Sequence, residues 1–250
     1  MSEFVQVWRD GAVQSVRMNR PDKKNAITRA MYAKMAAALT EGDADPGVRV
    51  HRILGVPGTF SSGNDLQDFM AIAMGGEGGT EVYDFLLALA NAQKPIVSAA
   101  DGIAVGIGTT IHFHCDLTFA TPRTTFHTAF VDLGLVPEAG SSLLAPRVLG
   151  RQGAFALLGF AEGLPAEKAL AAGMIYAVVG EDELEARSLE AAERLAAKPP
   201  EALRIARDFL LGDRAELVAR IRDEGEQFRA RLKSEEAKQA FIAFMSRKKG

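Results

Sequence analysis

One repeated order constrains this chain more than any other feature. A short run of apolar and β-branched residues ends in a glycine-containing loop, and a helical pattern starts at once. Val48 to Leu54 reads as a strand, followed by the loop Thr59-Phe60-Ser61-Ser62-Gly63-Asn64-Asp65-Leu66 and a helix around Leu66 to Met74. Pro95 to Ala100 does the same, entering Asp101-Gly102-Ile103-Ala104-Val105-Gly106-Ile107-Gly108-Thr109 and another helix start. Repeated β-then-α order argues for an α/β core. Val5 to Trp8 and Val13 to Met18 read as a hairpin with Asp10-Gly11 in its turn. Thr28 is placed to cap a helix with Met31, Met35, Ala38 and Leu39 on one face. Leu117 to Ala120 and Thr124 to Phe126 read as further strands, Leu143 to Leu149 and Gly153 to Phe160 as helices, and Pro165 as the start of another.

Beyond Glu181 strand signals stop, and charged amphipathic helices follow with breaks at Pro199-Pro200 and Gly212. The expected division is a core over 1–195 and a helical C-terminal region over 196–250 that covers a site or a subunit interface. Gly75-Gly76-Glu77-Gly78-Gly79 reads as a loop.

With 250 residues and 48% hydrophobic content, the chain can bury a substantial core. A net charge of -3 with interspersed signs leaves no footprint for nucleic acid. The single cysteine, Cys115, excludes an internal disulfide, and no Cys/His cluster has metal-ligand spacing, so no metal is expected. No apolar run is long enough to span a bilayer and no leader pattern opens the chain, so a cytoplasmic protein without a membrane partner is expected.

The two strand–glycine–helix junctions carry the chemistry. Each leaves main-chain N–H groups unpaired and aimed at one spot, which suits a developing oxyanion or a phosphate. Gly106 and Gly108 allow the tight turn that brings the Ile107 N–H toward a ligand. The spacing of Gly102, Gly106 and Gly108 does not match a dinucleotide fingerprint, and no P-loop Lys-Ser/Thr follows. Neither junction holds a carboxylate where a catalytic acid or base is needed. Glu138, in Gly134-Leu135-Val136-Pro137-Glu138-Ala139-Gly140-Ser141-Ser142, supplies one. By composition alone, Pro137-Glu138 before small residues also reads as a helix start with its carboxylate at the positive end of the dipole.

Asn19-Arg20-Pro21-Asp22-Lys23-Lys24-Asn25-Ala26-Ile27, Phe60 to Leu66 and Asp101 to Gly108 resemble, in order, the signatures of the crotonase superfamily, the enoyl-CoA hydratase/isomerase group. Thr125-Phe126-His127-Thr128-Ala129-Phe130 and Leu133 to Ser142 are most similar to its peroxisomal-type Δ3,Δ2-enoyl-CoA isomerases. The resemblance spans roughly Val5 to Leu211 and implies a crotonase-like α/β fold. That fold has repeated ββα units forming two near-perpendicular sheets, a helical C-terminal region, and assembly as a homotrimer or dimer of trimers.

The resemblance also implies roles. Asn64 and Ile107 would give the oxyanion-hole N–H groups. Ala26, Ser62, Gly63, Asp65 and Leu66 would line the adenine and pantetheine channel, Lys24 would approach a phosphate, and Gly106 and Phe130 would border the acyl group. Coenzyme A enters as part of the thioester substrate, and no other cofactor is expected. At the positions of the two hydratase glutamates this chain has Thr110 and Phe130, and neither is a carboxylate base. The expectation is therefore an isomerase in which Glu138 carries a proton from C2 to C4 of a 3-enoyl-CoA, backed by an apolar wall of Phe130, Leu135 and Val136. The rivals are hydration or thioester hydrolysis with Glu138 handling water, and a non-catalytic acyl-CoA-binding scaffold. His127 reads as a packed histidine with a backbone partner, His112 and His114 as core or surface residues, and Arg147 and Arg151 as an exposed or intersubunit face.

Overall fold

The computed structural model describes residues 4–65, 67–68 and 79–247. Strands β1 (Val5–Asp10) and β2 (Val13–Met18) form the expected hairpin. Asp10 pairs with Val13, so the turn is Gly11-Ala12 instead of Asp10-Gly11, and Gly11 supplies the positive φ of 59°. Helix α1 (Arg29–Ala44) starts where the Thr28 hydroxyl accepts from the Met31 N–H at 3.4 Å. Its buried face carries Met31, Tyr32, Met35 and Leu39.

The chain continues through β3 (Val50–Leu54), β4 (Thr59–Ser61), α2 (Glu81–Asn91), β5 (Ile96–Ala100), β6 (Ile103–Val105), and a short α3 (Ile107–Thr110) that tightens into a 3₁₀ turn over Ile111–His114. Strands β7 (Leu117–Ala120) and β8 (Thr125–His127) follow. The large sheet has the order β1-β2-β3-β5-β7-β10 and the small one β4-β6-β8-β9, with β9 at Leu164–Pro165 and β10 at Ala177–Val178. Three times the chain leaves the large sheet and enters the small one directly, as β3–β4, β5–β6 and β7–β8. That step is the repeated ββ unit. Within the large sheet every pairing but the β1–β2 hairpin is parallel.

Both faces of the large sheet are covered. Ile53, Ile96 and Ala100 join the main core with α1 and α2 residues such as Met35, Leu39, Phe85 and Leu89. Val50, Leu54, Val97 and Phe119 pack on the other side with Leu184 and Ala192 of the helix Leu184–Ala196. Burial on both faces explains why β5 reads as a continuous apolar run.

Helix α4 (Ser141–Leu158) joins the two helices expected at Leu143 to Leu149 and Gly153 to Phe160, and Gly150 breaks it with φ 67° and ψ 168°. Helix α5 (Ala166–Ala171) follows Pro165, its N-cap. After α6 (Leu184–Ala196) come α7 (Pro200–Leu211), α8 (Arg214–Leu232) and α9 (Glu235–Arg247). Buried Arg207 pins α7 to the core, its Nε donating to both Asp116 carboxylate oxygens at 2.8 and 2.9 Å and its Nη1 to the Ala92 carbonyl at 2.6 Å. Among the described residues no helix is long and apolar enough to cross a membrane. Of the helix expected at Leu66 to Met74, only Gln67 and Asp68 are described, and they are helical; of the glycine loop, only Gly79 is described.

Candidate active site

Strands β4 and β6 run parallel, with Thr59 beside Ile103 and Ser61 beside Ala104, so both deliver their following loops to the same edge of the small sheet. Two glycines let those loops touch. A Cβ on Gly63, where φ is 88°, would lie 2.8 Å from the Val105 carbonyl oxygen, and one on Gly108 would lie 2.8 Å from the Ser61 carbonyl oxygen. Asn64 forms a parallel bridge with Ile27: the Ile27 N–H donates to Gly63 at 2.8 Å, and the Asp65 N–H donates to Ile27 at 3.0 Å. Backbone alternation then turns the N–H of Asn64 itself to the opposite side. Ile107 is the first residue of α3, a position whose N–H has no acceptor within the helix. The structure thus brings the Asn64 and Ile107 segments together.

The stretch Arg20 to Ile27 acts as a clamp beneath Asn64. Lys24 and Asn25 adopt left-handed backbone at φ 50° and 52°. Asn25, fully buried, donates its amide to the Thr59 and Phe60 carbonyls at 3.2 and 3.0 Å and accepts from the Arg20 N–H at 2.7 Å. Arg20 donates to the Ala26 carbonyl at 2.9 Å and to Asp65 at 2.6 Å. Burial alone would raise the Asp65 carboxyl, but the Arg20 and main-chain hydrogen bonds hold it below the usual carboxylate range. Asp65 also accepts from the Gln67 N–H at 2.9 Å, so it clasps the loop. The Ser62 N–H donates to Lys24 O at 2.8 Å, while the Lys24 side chain is exposed. Leu66 lies outside the described residues.

Glu138 is buried in a loop that ends two residues later at Gly140, the N-cap of α4. It does not cap that helix. The carboxylate that does is Glu224 of α8, which accepts from the Gly140 N–H at 2.6 Å and the Ser142 N–H at 3.0 Å. Glu138 instead accepts the Thr110 hydroxyl at 2.6 Å, one turn along α3 from Ile107. Desolvation pushes its carboxyl up to about 8; the negative charge of Glu224 pushes the same way, and the Thr110 hydrogen bond opposes both. Ala139, which follows, is a buried non-glycine residue at φ 61°. Such a conformation costs about 1 kcal/mol and persists only where its surroundings enforce it.

Tyr32 and Glu224 escape a sequence reading. Tyr32 sits on the apolar face of α1 and donates its hydroxyl to the Asn64 side-chain oxygen at 2.7 Å. Burial lifts that phenol well above its ordinary range, and the charge of Glu138 adds to it, placing Glu138 and Asn64 in one electrostatic neighbourhood. Its spacing on α1 marks Tyr32 only as core. Phe130 and Leu135 of the expected apolar wall are buried in a cluster with Leu157, Leu158, Leu232 and Phe241, and Val136 is half-buried.

The histidines go elsewhere. The His112 ring packs against Phe60 and Phe126 with Nδ1 2.9 Å from the Ser98 hydroxyl, and burial lowers its pKa to about 3. His114 Nε2 lies 2.7 Å from the Ala139 carbonyl, and burial lowers that imidazole to about 4, so the neutral ring serves as donor to the loop. His127 joins β8 by main-chain bonds, its N–H donating to the Thr109 hydroxyl at 2.9 Å. Arg147 pairs at the surface with Glu216 at 2.7 Å. Among the described residues no group of three or more His, Cys, Asp or Glu side chains is arranged to hold a metal.

This geometry can be set beside known proteins. The family model described as enoyl-CoA hydratase/isomerase matches residues 9–250. The chain is 33% identical over 253 residues to enoyl-CoA delta isomerase 2 of Rattus norvegicus, covering 99% of this chain and 64% of the rat protein. It thus spans a little under two thirds of that relative's length. Among solved structures, Pseudomonas aeruginosa OdaA superposes with a TM-score of 0.92 at 40% identity, covering 98% of this chain and 99% of that one. An enoyl-CoA hydratase/isomerase from Pseudoalteromonas atlantica T6c superposes with a TM-score of 0.93 at 35% identity, covering 98% of each.

Proposed function

The chain belongs to the enoyl-CoA hydratase/isomerase family, and within it we propose an enoyl-CoA delta isomerase that converts 3-enoyl-CoA into 2-trans-enoyl-CoA. The observation that carries this reading is the placement of Glu138, buried and accepting the hydroxyl of Thr110, which lies one turn of α3 on from Ile107. The ionised carboxylate takes a proton from C2 of the acyl group. The electron pair flows into the thioester carbonyl, and the dienolate oxygen accepts hydrogen bonds from the Asn64 and Ile107 N–H groups. The newly protonated carboxyl then returns the proton to C4. Nothing is added or lost, and the double bond becomes conjugated.

The energetics suit a single proton carrier. A carboxyl raised to about 8 is a stronger base than a solvated glutamate and still gives the proton back near neutral pH. Each main-chain donor acts on charge that develops only in the transition state and contributes about 10²- to 10³-fold. The other buried carboxylate close by does not form a hydratase-like pair, because both Glu224 oxygens are engaged by main-chain N–H groups. Phe130 itself is apolar and packs with Leu135, Leu157, Leu158, Leu232 and Phe241, so it offers no carboxylate to activate water.

The substrate is thus an acyl-CoA thioester, with coenzyme A as part of the substrate. Incubation with 3-enoyl-CoA and separately with 2-enoyl-CoA, followed by product identification, tests the reading. Conjugated enoyl-CoA formed from the first is the expected result, and 3-hydroxyacyl-CoA or free acid as the only product would refute it.

A further inference from the structure

We propose that Glu224 is the positioning residue for Glu138: by holding the Gly140 and Ser142 N–H groups from the far side of the loop, it fixes where the base points and sets the charge the base works against. This inference rests on the isomerase reading.

The loop from Gly134 to Ser142 receives its shape from the C-terminal helices. At one end, Arg231 donates to the Gly134 carbonyl at 3.0 Å, and a Cβ on Gly134 would come within 2.9 Å of Ala237 Cα. At the other, a Cβ on Gly140 would run into Leu217 and Ile221, and the two Glu224 oxygens span Gly140 and Ser142. From the core side, His114 meets the Ala139 carbonyl. Glu138 lies between these fixed points. Ala139 is therefore held left-handed by a bond to its own carbonyl and by the grip on the residue after it, and this backbone fold turns the Glu138 side chain toward Thr110.

The charges around the pair define its electrostatics. Glu138 faces the Thr110 hydroxyl from α3, the Tyr32 phenol from α1 and Glu224 from α8. Glu224 faces Ser142 and the Arg220 guanidinium, which donates to the Ser142 hydroxyl at 3.1 Å. His114 is neutral, and the nearby Arg207 is bound to Asp116. Burial raises the Glu224 carboxyl above its ordinary range, while the hydrogen bonds from Ser142 and Gly140 and the charge of Arg220 oppose that rise and favour its ionised form. Its negative charge keeps Glu138 protonated to higher pH.

The test compares Glu224→Gln and Glu224→Asp with the unaltered protein in two readouts: the pH dependence of 3-enoyl-CoA isomerisation, and a ¹³C NMR titration of the Glu138 carboxyl without substrate. The amide in Glu224→Gln has no charge and presents an NH₂ to one of the two N–H groups. For it, kcat is expected to fall about 10- to 100-fold with KM within about threefold. The acid limb and the Glu138 midpoint should both move to lower pH, by about half a unit or more. Glu224→Asp keeps the charge but is too short to span both groups, so kcat should fall while the midpoint stays near that of the unaltered protein. An unmoved Glu138 midpoint in Glu224→Gln would overturn the proposal, even if kcat dropped, because Glu224 would then only hold the fold. Absence of isomerisation by the unaltered protein would instead remove the reading under Proposed function, with the Glu138 titration still deciding whether Glu224 acts on it.

Discussion

Asn64 and Ile107 sit where neighbouring strands end, whereas Glu138 sits in a loop that no strand reaches. The donor side is held by β4 and β6, by glycines that let the loops touch, and by a clamp of residues from 20 to 27. The carboxylate side is held by Glu224, Leu217, Arg231 and Ala237, all from the last two helices. One half of the site is thus made by sheet registry and the other by tertiary docking. In the proposed mechanism the donors are backbone N–H groups, so registry should tolerate the loss of a side chain where docking should not.

Four measurements break or sharpen that contrast, taken from the largest effect. Glu138→Gln removes the proton carrier and should lower kcat by about a thousandfold, roughly 4 kcal/mol, with KM little changed. Steady-state kinetics with 3-enoyl-CoA decides it, and a loss under tenfold would take Glu138 out of the mechanism.

Next in size is the stability cost of the same carboxyl. Its pKa rises from 4.5 to about 8 on folding, so the folded chain keeps a proton that the unfolded chain has lost. The resulting stability is fully present below pH about 4.5 and disappears as pH rises through about 8. Urea unfolding should therefore show Glu138→Gln gaining on the unaltered protein between pH 5 and pH 9, by a few kcal/mol. A constant difference across that range would mean that Glu138 is solvated.

On the donor side, Gly63→Ala places a methyl 2.8 Å from the Val105 oxygen at a φ of 88° and should separate the two loops. kcat/KM is expected to fall about 10- to 100-fold, roughly 1.5 to 3 kcal/mol, with the pH limb unmoved. A shifted limb would join the two halves of the site more tightly than the structure does. Tyr32→Phe is the mildest change. It deletes one hydrogen bond to the Asn64 side chain, and about a fivefold loss in kcat is expected, about 1 kcal/mol. A loss of a hundredfold would mean that the donor side also depends on side chains.

The same contrast sets what the sequence disclosed. The donor loops are local: strand, glycine and helix start follow one another, so the two junctions and the Ile107 turn are legible from spacing, while Asn64 as the second donor comes only with the family resemblance. The α/β order is legible for the same reason, and the step of the chain between two sheets enters only through the family resemblance. Glu138 is legible as a residue but not as a geometry, since the Pro137-Glu138 pair reads equally as a helix start. What separates the two readings is Glu224, 84 residues away from Gly140. In its own segment, Arg-Asp-Glu-Gly-Glu, Glu224 looks like any charge on a polar helix, and Tyr32 looks like any core aromatic. Gly150 shows a smaller case of the same kind: the pattern gave two helices, and the left-handed glycine joins them with a kink.

The Glu224 bonds to Gly140 and Ser142 also set an order in time. A chain leaving the ribosome has the residues of both donor loops in hand once Thr110 has emerged, but Glu138 acquires its mould only after α8 has been made and has docked. In the proposed mechanism, a chain truncated before α8 would keep the residues of the donor loops but lack the carboxylate that shapes the Glu138 loop.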